Sequence, residues 1–450
     1  MEKENSIAII GLWHLGIVTA ACLASYNNKV TAIDPNSKTI TNLKKGNLPV
    51  YEPGLAELVK EQYEKGTLSF TTDFRSGLND SKYIIIAFDT PMNDDDSPDL
   101  SPILQSVSES ISYLQDGSLL IISSQVPLGT CEQIELLIKK RRPSLIFGIV
   151  CMPENLKLGI AISRFKSPDF LLIGANKEED FKNVEKLYGF VTSPKIKVDL
   201  RTAEMVKHAI NAFTACEVSF ANELGNICDK FGVDEFRVAE ILHLDPKVGK
   251  QAPLRAGLGF SGGTLGRDVN VLRALGKKEG TKTTLLDAIM SVNYYQNQTI
   301  TNNLRIIFGR IKGLHIGVLG LTYKAGTSTL RRSASIEIIK ELIQKGASIK
   351  AYDPKADLVT KIANGSFERC SDADSVFDSS DVLLILTGWP EFKELNFVKL
   401  KPKMSHSIII DASNILDGDL MTKHGFIYVG MGRGHQAKAI NDVKHQNVSK

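Results

Sequence analysis

"IAIIGLWHLG", Ile7 to Gly16, decides the fold. A short apolar run ends at a glycine, and Gly11 and Gly16 flank a turn into a helix-like segment. That segment leads to "VTAIDP", a second apolar run closed by Asp34, 23 residues after Gly11. Strand, glycine turn, helix and strand with a terminal acid make a dinucleotide-binding βαβ unit. Its helix N-terminus holds a diphosphate, and its acid takes ribose hydroxyls. A carboxylate at that place favours NAD over NADP, because it repels a 2′-phosphate. The middle glycine of G-x-G-x-x-G is Trp13, where the backbone normally comes near the diphosphate. A ligand-free strand–helix turn would show the same two glycines, so Asp34 and the surrounding unit carry the nucleotide reading.

Outward from this stretch, "YIIIAF", "SLLIISS", "LIFGIV" and "DFLLIG" read as further buried parallel strands separated by helical segments. Residues 201–300 lack strand signals and keep apolar residues at helical spacing, with Gly232 as a terminator of the first long run. Strands return with "HIGVLGL", "SIKAYDP", "VLLILT", "SIIIDAS" and "GFIYVGM". "IGVLGLTYKAG" followed by "IKAYDP" repeats the opening pattern, with Gly317, Gly320 and Asp353. The expected architecture is α/β, with two Rossmann-like doubly wound domains joined by an all-helical central domain. The boundaries are 1–200, 201–305 and 306–435, with a flexible polar tail over 436–450. Lys324, Arg331 and Arg332 lie beside the second glycine turn, where cations suit phosphate; a solvated basic loop would look the same.

A chain of 450 residues with a net charge of +3 is too weakly charged to argue for nucleic acid or membrane binding. The start has no signal-peptide order, and no apolar run is long enough to span a bilayer. The six cysteines form no C-x-x-C or zinc pattern and suit a reducing cytoplasm, so no metal is expected.

Several separated stretches resemble the UDP-glucose/GDP-mannose dehydrogenase family. "GNLPVYEPGLAELV" resembles its G-x-x-P-x-x-E-P-G-L block, "AFDTPM" its V-G-T-P turn and "SSQVPLGT" its S-T-V-P-x-G-T. "MPENLKLG" is similar to N-P-E-F-L-x-E-G, and "AEMVKHAINAF" to A-E-x-x-K-x-x-x-N. "GLTYKAGTSTLRRS" and "LTGWPEF" match the last domain. The resemblance implies two NAD-linked oxidations of a nucleotide-sugar alcohol to a carboxylate, in a homodimer built on a long central helix. NAD contacts would come from Gly11, Trp13, His14, Leu15, Gly16, Asp34, Thr90, Pro91, Ser124 and Arg331. Lys207 and Asn211, one helical turn apart, would flank the reacting oxygen. Asp268 would hold a water, and Glu154 would be a general base. Asn155, Leu156, Lys247, Phe260, Gly262 and Lys324 would contact the nucleotide sugar.

The sequence departs from the family where the chemistry is hardest. "GFSGGTLGRD", Gly259 to Asp268, aligns with G-F-G-G-x-C-x-x-K-D, and Thr264 stands at the cysteine. Thiolate attack on the aldehyde gives the thioester route to the acid, whereas a hydroxyl is not ionised near neutral pH without a strong base. Gln125, Leu158, Glu217, Gly266 and Ser413 are further departures, and Lys247 replaces an Arg. Four readings follow. The favoured one is an NAD-dependent oxidoreductase limited to one hydride transfer on a nucleotide sugar, most simply a UDP-sugar. The others are an NAD-retaining epimerase, a non-catalytic nucleotide-binding homologue and a full 6-dehydrogenase using a non-cysteine route.

Overall fold

A computed structural model describes residues 5–90, 98–153, 156–356 and 367–434. The chain forms two compact units, one up to residue 209 and one from residue 210.

The first unit is built on an eight-stranded sheet. Its strands are β1 (Ser6–Ile10), β2 (Lys29–Ile33), β3 (Leu68–Thr71), β4 (Tyr83–Ile86), β5 (Ser118–Ile122), β6 (Phe147–Cys151), β7 (Leu171–Gly174) and β8 (Lys195–Val198). The order is β3-β2-β1-β4-β5-β6-β7-β8, so the chain reverses its direction of travel between β1 and β4. Successive side chains of one strand serve opposite faces. Ile7 and Ile9 enter one apolar core, and Ala8 and Ile10 enter the other. Helices cover both faces, which is why these strands read as unbroken apolar runs.

Two expectations need correction. "DFLLIG" does not join a parallel array: β7 meets β6 antiparallel, with Cys151 opposite Gly174. A run buried on both faces has the same composition in either direction, and only its connection sets the direction. Strands β3 and β8, the two edges of the sheet, are not among the runs read from the sequence, because "LSFT" and "KIKV" are only partly covered.

The second unit opens with the remainder of the helix Leu200–Phe231, then the helices Glu235–Leu242, Leu265–Lys278 and Thr284–Phe308. Gly232 ends the first of them at φ +67°, a left-handed conformation that halts a helix at little cost to glycine. A six-stranded parallel sheet follows. It comprises β9 (His315–Leu319), β10 (Ser348–Tyr352), β11 (Glu368–Arg369), β12 (Val382–Ile385), β13 (Ile408–Asp411) and β14 (Ile427–Gly430). Its order is β11-β10-β9-β12-β13-β14, with the reversal between β9 and β12. Each sheet thus places a switch point at the C-terminal ends of two central strands, where ligands bind in such folds. Among the described residues, no helix is long and apolar enough to cross a membrane.

Candidate active site and nucleotide sites

The switch point of the first unit is built by Gly11. Its φ of +93° turns the chain out of β1, and a Cβ there would lie 2.8 Å from the Phe88 ring. Gly16, in the helix His14–Ser25, has no room at all: a Cβ would fall 1.7 Å from the Gly11 carbonyl oxygen. The pair therefore seats the helix directly on the turn. Asp34, at the end of β2, accepts from the Leu12 N–H at 3.0 Å and from the Asn36 N–H at 2.9 Å. These two bonds fix the carboxylate at the strand end and leave lone pairs for hydroxyl donors. Thr90, buried, donates its hydroxyl to the Gln125 carbonyl at 2.6 Å. Buried Ser124 donates to the Ile86 carbonyl at 3.3 Å. Trp13 is half exposed at the helix start.

The side chains of His14 and Leu15 turn into the protein. The His14 ring is buried and bonded to Glu52 at 3.1 Å. The Leu15 side chain is buried, and its N–H donates to the Asp89 carboxylate at 3.2 Å. Glu52 also accepts from the N–H groups of Gly159 at 2.9 Å and Ala161 at 2.8 Å. It ties the segment after Leu156 to the helix start, and Leu156 packs on the core below. Pro91, Glu154 and Asn155 lie outside the described residues.

The repeat in the second unit has the same topology but no equivalent ribose acid. Asp353 accepts from Leu321 N–H, Thr322 N–H, Thr322 Oγ1 and the Trp389 indole on one oxygen. Its other oxygen accepts from the N–H groups of Lys355 and Ala356. Six donors saturate this carboxylate, so it is an internal fastener. The following helix begins only at Ala334, and the intervening loop carries Tyr323, Lys324 and exposed Arg331.

The glycine-rich loop, Gly257 to Asp268, answers to its neighbours. Gly259 lies where a Cβ would be 2.6 Å from the Asn293 amide oxygen. Gly262, at φ +81°, sits against the Tyr323 ring, and its N–H donates to the Arg332 carbonyl at 3.0 Å. Side-chain amides of the long helices hold the loop backbone. Gln296 donates to Gly257 O at 2.6 Å, Asn293 to Phe260 O at 3.1 Å, and the oxygens of Asn222 and Asn297 accept from Gly257 and Gly259. The loop borders a cavity of about 460 Å³ lined by Phe236, Arg255, Phe260, Tyr323, Lys324 and Ser413, among others. That volume suits a small ligand, for which roughly 300–1,000 Å³ is usual. Two cations and three aromatic rings suit an anionic nucleotide. Ser413 turns its hydroxyl to Asp411 at 2.9 Å, and burial pushes the Asp411 carboxyl up.

Thr264 is exposed and immediately precedes the helix Leu265–Lys278, with no capping hydrogen bond from its side chain. Four residues on, Asp268 is fully buried. It accepts from the Asn211 amide and, at 3.1 Å, from Arg267 Nε. Lys207 lies one turn before Asn211 on the long helix, half-buried. The structure therefore joins Asn211 to Asp268, whereas Lys247 is exposed on a separate loop after Glu235–Leu242. Sequence reasoning assigned no role to Glu52, Asp89, Asn222, Asn293, Gln296 or Asn297. Two had a local signal: Glu52 in the E-P-G that precedes a helix, and Asp89 at the glycine position of the V-G-T-P turn.

This arrangement defines a dehydrogenase with separate dinucleotide and nucleotide-sugar folds. The chain belongs to the UDP-glucose/GDP-mannose dehydrogenase family. Its NAD binding domain matches residues 5–192, its central domain residues 201–295 and its UDP binding domain residues 317–418. The UDP-glucose 6-dehydrogenase TuaD of Bacillus subtilis is 35% identical over 431 residues, 95% of this chain and 93% of that protein. A UDP-glucose dehydrogenase structure from Pyrobaculum islandicum superposes with a TM-score of 0.86 at 27% identity, covering 95% of this chain and 98% of that one. A UDP-D-ManNAc dehydrogenase from Pyrococcus horikoshii gives the same score and identity, covering 96% of this chain and 100% of that one. The protein is thus an NAD-dependent nucleotide-sugar dehydrogenase by family.

Proposed function

We propose that the protein oxidises a UDP-sugar alcohol by a single hydride transfer and releases the aldehyde or ketone. The supporting observation is Thr264: an exposed hydroxyl without a capping bond stands where the family's G-F-G-G-x-C loop has its thiol. Alcohol oxidation needs a group to take the hydroxyl proton, donors that steady charge on the oxygen, and a hydride acceptor. NAD, when bound, supplies the acceptor, with Asp34 positioned for its ribose. Lys207 and Asn211 act on the reacting oxygen, and Glu154 takes the proton. Buried Asp268 holds the Asn211 amide in one orientation through the bond between them. The second oxidation needs a covalent trap or a hydrate, and a threonine hydroxyl without an activating base is a poor trap.

The test mixes purified protein with NAD⁺ and a panel of UDP-, GDP- and CDP-sugars, counts NADH per sugar and identifies products by mass. One NADH with an aldehyde or ketone from a UDP-sugar is expected. Two NADH with a carboxylate overturns the single-transfer reading.

The enzyme works as a homodimer in this reading. Phe213, Phe220 and Ile227 are 66%, 54% and 53% exposed at seven-residue intervals, so they share one face of the long helix. A second copy of that helix is the occupant such a self-complementary stripe suits. Light scattering should give twice the chain mass, and Phe220→Asp should halve it; a wild-type monomer rejects the dimer. The six free thiols support a cytoplasmic setting.

A further inference from the structure

We propose that Asp89 is a built-in competitor for the cofactor's diphosphate. The helix His14–Ser25 starts at the first switch point, and its N-terminal N–H groups are the donors a diphosphate uses. Its own sequence supplies no anion there. Trp13 at the N-cap makes no side-chain cap bond, and the first turn holds no acid. The charge comes instead from the turn after β4. Phe88 lies over Gly11, within 2.8 Å of where a Cβ would stand, and Asp89 accepts from the Leu15 N–H at 3.2 Å. In the V-G-T-P turn that "AFDTPM" resembles, this position is glycine, which has no such charge.

A carboxylate and a diphosphate cannot share one amide donor, and their like charges repel at that distance. Cofactor entry therefore requires Asp89 to leave the helix end. In the free protein the carboxylate stabilises the helix; in the bound protein that stabilisation is lost, and the apparent affinity falls by the same amount. Half-exposed Trp13, next to the helix start, gives the site its own fluorescence reporter, while Trp389 is buried.

The test titrates full-length wild type, Asp89→Gly and Asp89→Asn with NAD⁺ and with ADP-ribose, by calorimetry and Trp13 emission. Melting of the ligand-free proteins is measured alongside. Asp89→Gly should bind both ligands on the order of tenfold tighter and melt at a lower temperature when free. Asp89→Asn keeps the side-chain size and should fall between it and wild type. Affinity and free stability moving in opposite directions is the signature of competition. A cap without that role lowers both together; that pattern, equal affinities, or no binding by any of the three overturns the proposal. Sugar is absent throughout, so the result is independent of how many hydrides the enzyme transfers.

Discussion

Replacing Thr264 with cysteine should turn a one-step oxidation into a two-step one. Thr264 is exposed and its side chain makes no capping bond, so Thr264→Cys should change stability by no more than about 0.5 kcal/mol. The chemical change is much larger. An ordinary thiol of pKa about 8.5 is roughly one-tenth thiolate at pH 7.5. The start of the helix Leu265–Lys278 raises that fraction, because an anion is favoured at a helix N-terminus. The variant should form two NADH per sugar and release a carboxylate, with the second step accelerating as pH rises through the thiol's range. The assay follows NADH by its absorbance, identifies products by mass and titrates the new thiol with iodoacetamide. A variant whose thiol alkylates normally but which still stops at one NADH would refute the reasoning. So would wild type already yielding two.

Other consequences follow from single contacts. Asn211→Ala removes a donor from fully buried Asp268, and a hydrogen bond to a charged group is worth about 1.5–3 kcal/mol; urea unfolding within 0.5 kcal/mol of wild type would rule this out. Gly16→Ala puts a methyl 1.7 Å from the Gly11 carbonyl, which the backbone cannot yield without moving the helix. It should cost about 3 kcal/mol or more and abolish measurable NAD⁺ binding, and a well-folded variant that binds normally would contradict it. Burial pushes the Glu235 carboxyl above its ordinary 4.5, so the folded state keeps a proton that the unfolded chain has released. That contribution is complete below about pH 4.5 and is lost as pH rises through the folded value. Glu235→Gln cannot ionise, so its stability relative to wild type should improve from pH 4.5 to 8; a difference that does not vary with pH would count against the assignment.

Much of the architecture was legible because strands buried on both faces must be apolar along their length, and the glycine turns punctuate them. Ile7–Gly16 with Asp34, and Gly317–Gly320 with Asp353, therefore announced two similar units. Direction was not legible, since "DFLLIG" has the same composition whichever way it runs, and the connection after β6 turned it antiparallel. Nor were edge strands β3 and β8, whose partial exposure removed the apolar signal.

The site divides the same way. Local spacing placed Lys207 and Asn211 on one helix and set Thr264 in a glycine-rich loop, since both facts need only neighbouring residues. The sequence alone also determined that no thiol stands at position 264. Tertiary structure decided what similar residues do. Asp34 keeps spare lone pairs, while Asp353 is saturated by six donors from three segments. It also brought Asp89 to the Leu15 N–H from 74 residues away. Hydrogen-bond saturation and charge proximity depend on distances between remote segments, and those distances exist only once the sheets have assembled.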